Sequence, residues 1–116
     1  MPKERYISVT KEYAESIQDW GEKVFATAVT SKENLIVKYQ IPIRGKVIDF
    51  WVKNTKMNGS SKGMLVEVTK TPLNKSHNKR GQRRAMEEEG LPHTILFKEN
   101  LVNIDTNANK RDVTEY

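Results

Sequence analysis

The chain has 116 residues, no cysteine, and twenty lysines and arginines against fifteen acidic residues, a formal net charge of +5. That length holds one hydrophobic core and not two. The missing thiols exclude disulfides and thiolate-held metals and fit a reducing cytoplasm, and the positive balance favours a polyanionic partner over an acidic small molecule.

No run is long and apolar enough to span a bilayer, and the opening MPKERYISV lacks the apolar centre of a signal peptide, so no membrane role is expected. Residues Met1 to Val9 read as a lead-in with a short strand at RYISV. Thr10 is a good helix N-cap. Tyr13, Ile17, Trp20, Val24 and Ala28 then recur at three- and four-residue steps, which predicts about eighteen helical residues with these side chains on the core. Gly21 interrupts that pattern. Leu35, Val37, Tyr39, Ile41 and Ile43 alternate along a half-exposed strand, Pro42 points to an edge or a strand end, and Arg44-Gly45 is a turn.

VIDFWV and MLVEVTK follow, joined by a polar loop rich in Gly, Asn and Ser, which is the pattern of a long-looped β-hairpin. Each run carries one carboxylate among apolar residues, Asp49 and Glu67. If both point to one side of paired strands, they repel unless a cation or a shared proton relieves them. Two carboxylates, with water and phosphate completing the shell, suit Mg²⁺. The structural alternative is a pair of ordinary solvent-facing acids on a two-sided sheet. The apolar character of Ile48, Phe50, Val52, Leu65, Val66 and Val68 argues against it, because a central hairpin makes unpartnered carboxylates costly.

A turn at Thr71-Pro72 leads into a helix expected from about His77 to Glu89, stopped by Gly90 and Pro92. Lys70, Lys75, Lys79, Arg80, Arg83 and Arg84 run without an intervening acid, whereas Glu87, Glu88 and Glu89 close the helix. This charge order opposes the helix dipole. It is read as a phosphate-contacting surface of Lys79, Arg80, Arg83 and Arg84, with Gln82 near the site or a base. The short strand Thr94–Phe97, reached through a helical crossover, is expected parallel to Met64–Thr69. Leu101, Val102 and Ile104 form a last amphipathic piece, and residues 105–116 are a polar tail to a single domain of residues 1–104.

WGEKVF, YQIPIRGKVIDFWV, MLVEVTK, KRGQRRAMEEEGLPHTILF and ENL, in this order, resemble the PD-(D/E)xK nuclease superfamily. The nearest likeness is to its small members related to very-short-patch repair endonucleases and transposon nuclease subunits. The resemblance implies an α/β, restriction-endonuclease-like core, a mixed β-sheet flanked by helices. It implies a Mg²⁺-dependent endonuclease acting on DNA, with Mn²⁺ able to substitute. Asp49 and Glu67, with the Val68 carbonyl, would hold the metal, Lys70 would orient the attacking water, and Glu22 would assist from the first helix.

The family's lysine stands two residues after the glutamate. Here Thr69 occupies that position, so Lys70 requires a bulge or strand end at Thr69 to reach the site. Glu22 requires that Gly21 break the helix. A double-strand cut would need a homodimer or partner subunit, and the expected location is cytoplasmic, with the nucleoid or a phage or mobile element. The alternative function is a nucleic-acid-binding module of the same fold without chemistry.

Overall fold

The computed structural model describes residues 7–56 and 62–105, so Met1–Tyr6 of the lead-in, part of the hairpin loop and the tail from 106 onward lie outside the described residues. Five strands form one mixed sheet in sequence order: β1 Ile7–Ser8, β2 Leu35–Ile43, β3 Lys46–Asn54, β4 Met64–Val68 and β5 His93–Leu96. The first four pair antiparallel, and β5 lies parallel to β4. The parallel pairing agrees with the expectation for a strand reached through a helical crossover.

The expected first helix is two helices, α1 Lys11–Ser16 and α2 Trp20–Thr30. Thr10 Oγ1 accepts the Tyr13 N–H at 3.1 Å and starts the first; Asp19 Oδ1 accepts the Glu22 N–H at 3.0 Å and starts the second. Because the backbone is extended at Ile17 and Asp19, the helical phase restarts. Gly21, Phe25, Ala26 and Val29 become the buried face of α2, and Val24 and Ala28 are only half-buried. Trp20, expected in the core, is instead 40% exposed.

The crossover also differs from the expected helix. Leu73–Lys79 is a 3₁₀ segment, kinked at Lys75, and the α-helix proper, α3, is Arg80–Glu89. Gly90 closes α3 in the left-handed conformation, and α4 spans Lys98–Asp105. Asp105 thus belongs to a helix rather than to the tail.

Helices cover both faces of the sheet. Ala14, Ile17, Phe25, Ala26, Val29 and Leu101 pack with Val37, Tyr39, Phe50, Val52, Val66 and Val68 on one face. Ala85 and Met86 of α3 pack with Ile41, Ile43, Ile48, Leu65 and Ile95 on the other. The alternating residues of β2 are buried as expected, apart from half-buried Leu35, but they do not share one face. Tyr39 and Phe50 pair in the first cluster, whereas Ile41 and Ile48 pair in the second. The hairpin turns over between these two pairs, where Gln40 has φ 63°. Asp49 sits at that turnover.

Candidate active site between β3 and β4

Backbone pairing of β3 with β4 runs from Val52–Met64 to Phe50–Val66, and at the next position side chains take over. The Val68 N–H donates to Asp49 Oδ2 at 2.9 Å, and the Asp49 N–H donates to Glu67 Oε1 at 3.1 Å. Each carboxylate is therefore held by the backbone of the opposite strand. The turnover at Gln40 and Asp49 opens the ladder there, and the two acids fill the donors it leaves.

Glu67 is 3% exposed, the single charged residue fully buried among those described. Burial raises its carboxyl pKa above the ordinary range, against the Lys79 hydrogen bond, which lowers it. Asp49 is pushed up to about 8, first by burial and then by the negative charge of Glu67, with the Val68 N–H opposing. Two acids so placed lack positive charge.

The cleft they line has a volume of about 470 Å³, and its other walls are Asp19, Glu22, Val68, Thr69, Lys70, Thr71 and Lys79. Glu22 reaches it because the helix breaks, although the break falls at Ile17–Asp19 and not at Gly21. The Tyr39 hydroxyl donates to Glu22 Oε1, and the Tyr39 pKa is raised by burial and by that carboxylate.

Lys70 stands on the same cleft but pairs with Asp19, at 3.6 Å, and its side chain is 58% exposed. The strand end that the sequence called for is there: the Thr69 N–H bonds the Leu96 carbonyl at 2.9 Å and closes the β4–β5 ladder, and β4 ends at Val68. Lys70, past that end, turns to Asp19 and not to Glu67. The Thr69 hydroxyl donates to Thr71 Oγ1 at 2.9 Å and accepts the Thr71 N–H at 3.1 Å.

The cation beside Glu67 is Lys79, whose Nζ donates to Oε2 at 3.0 Å. Sequence spacing placed Lys79 only on the basic surface, twelve residues from Glu67; the 3₁₀ segment brings it back. Of the other residues expected on that surface, Arg80, Arg83 and Arg84 are exposed on α3, and Gln82 is half-buried. Two further residues escaped the sequence reading. Asp19 had a usable signal, an N-cap residue with Glu22 three positions later, the pattern of a capping box. Tyr39 had only its type, since a buried tyrosine hydroxyl needs a partner.

Among the described residues no group of three or more His, Cys, Asp or Glu side chains is arranged to hold a metal ion. The hard-oxygen character of the pair, and a negative charge only partly balanced by Lys79, nonetheless fit the one or two carboxylates that Mg²⁺ requires. No helix among the described residues is long and apolar enough to cross a membrane. No family model, curated protein or solved structure matches the chain.

Proposed function

We propose that the chain is a Mg²⁺-dependent DNA endonuclease of the PD-(D/E)xK kind, with a restriction-endonuclease-like core. The observation that carries this reading is the interlocked pair of half-buried Asp49 and buried Glu67, set at the break in a central hairpin and open to a polar cleft. A structural ion pair does not require a second, half-buried acid at such a break. Asp49 and Glu67, with the Val68 carbonyl, would hold the metal. When bound, Mg²⁺ polarises a phosphate and lowers the pKa of a water molecule, and Mn²⁺ supplies the same chemistry.

The chain's own residues do the rest. The strand backbones hold both carboxylates in place before any ligand arrives, and Tyr39 orients Glu22 along the cleft wall. Arg80, Arg83 and Arg84, exposed just beyond Lys79, supply the positive surface for the sugar–phosphate backbone, and Gln82 stands beside them. One such cleft cuts one strand, so double-strand cleavage calls for a homodimer or a partner subunit.

A binding module without chemistry is the second reading. It is favoured by one observation, the engagement of Lys70 with Asp19 in place of the site. Nicking of supercoiled plasmid in Mg²⁺, lost in EDTA and in D49A, is the expected result. DNA binding with no nicking in either Mg²⁺ or Mn²⁺ would select the binding module.

A further inference from the structure

The two lysines on this cleft differ in what they face. Lys70 leaves the end of β4 toward solvent and is held by Asp19. Lys79 approaches from the 3₁₀ segment on the other side, with its side chain 21% exposed, and its partner Glu67 has a side chain only 4% exposed.

Three of the four carboxylate oxygens of Asp49 and Glu67 are committed. Glu67 Oε1 takes the Asp49 N–H, Glu67 Oε2 takes Lys79 Nζ, and Asp49 Oδ2 takes the Val68 N–H. Among the described residues, Asp49 Oδ1 is the oxygen of this pair without such a bond. A second divalent ion held through Glu67 would compete at Oε2 with the ammonium already there. Two positive charges cannot share that oxygen without repulsion in a shielded place.

We propose that Lys79 is the resident cation of this site: it occupies the second positive position on Glu67, limits the cleft to one divalent ion, and presents the charge that faces the substrate phosphate. This inference rests on the nuclease reading and names its cationic partner. Three features bring Lys79 there. The Thr69–Thr71 hydroxyl exchange and Pro72 end the strand, and the kink at Lys75 turns the 3₁₀ segment back under it. Lys79 then ends that segment one residue before α3, so the same backbone that carries the exposed arginines also positions the ammonium. Phosphate held by the helix and charge held at Glu67 are rigidly related.

The test measures Mn²⁺ binding by titration calorimetry, and plasmid nicking, for the wild type, K79Q, K79R, K70Q and D49N. The wild type is expected to bind one Mn²⁺ per chain. K79Q frees Glu67 Oε2, so it should bind Mn²⁺ ~10-fold tighter or take a second ion, while nicking falls by ~100-fold. K79R keeps the charge and the one-ion stoichiometry, and K70Q changes Mn²⁺ affinity less than K79Q does. Two ions bound by the wild type would overturn the proposal. So would a K79Q protein with unchanged affinity and nicking, or a K70Q protein that alone alters Mn²⁺ binding. If K79Q does not fold, the wild-type stoichiometry and K79R still decide. D49N separates the two levels: a wild type that never nicks, or a D49N protein that nicks normally, sinks the nuclease reading, and the stoichiometry then judges Lys79 by itself.

Discussion

Asp49 carries a consequence for pH that needs no substrate. A carboxyl whose folded pKa lies above its unfolded value binds its proton more tightly in the native state. Its contribution to stability is therefore fully present below the ordinary value of 3.8 and is lost as pH rises through about 8. Metal-free protein should melt at progressively lower temperature between pH 5 and pH 9, each kcal/mol lost moving Tm by ~4 °C at this size. D49N should flatten the slope, because the amide oxygen still accepts the Val68 N–H and carries no charge. Added Mg²⁺ should flatten it too. Calorimetric melts across this range check both, and a wild-type Tm that rises with pH would contradict the site's electrostatics. Asp19 has two separable duties, capping α2 and holding Lys70. D19A should lower stability by ~1 kcal/mol through the lost cap. D19N should keep most of the cap while releasing Lys70, and thermal melts of the pair check the difference.

The hairpin that carries both acids depends at each end on a glycine, for different reasons. Gly45 and Arg44 both have positive φ and make the two-residue turn between β2 and β3, with Ile43 opposite Lys46. A Cβ at Gly45 meets nothing within 4 Å. At Gly63, φ is +80° and a Cβ would stand 2.5 Å from the Trp51 ring, whose Nε1 donates to the Lys62 carbonyl at 3.0 Å. G45A should cost ~1 kcal/mol for the left-handed backbone alone. G63A should cost more, ~2–4 kcal/mol, since the indole must also move and give up its hydrogen bond. Denaturant melts of the two variants rank them; equal losses would mean that Trp51 does not fasten the entry to β4.

Over the whole molecule, the charge is divided unevenly. Arg80, Arg83 and Arg84 lie together on α3, whereas α3 has no acid in its first turn, and Glu89 near its end is spent on Arg44 at 3.3 Å. Under the proposed function, such a face would bind nucleic acid mainly by releasing counterions. Replacing each arginine singly with Ala should weaken DNA binding about equally across sequences. Each lost phosphate contact should reduce the slope of log K against log salt by ~0.9 for duplex DNA. Binding isotherms at several salt concentrations check this; an unchanged slope for all three places the DNA surface elsewhere.

The order of elements, the alternation of β2, the long-looped hairpin and the parallel last strand were legible in the sequence because period and turn chemistry are local. So was the pairing of Asp49 with Glu67, since two acids in adjacent apolar strands have few places to go. The first helix was misread by its spacing: a three- and four-residue pattern continues across a three-residue break that only the Asp19 cap reveals. Tertiary structure alone decided which lysine meets Glu67. Lys70 lies past the end of β4 and is taken by Asp19, and the chain between Thr71 and Lys79 folds back through a kinked 3₁₀ segment with no periodic signal. The turnover at Gln40 was equally hidden. A residue's sign of φ depends on the sheet that surrounds it, and here that sheet splits at Asp49, where its own backbone bonds give way to the two carboxylates.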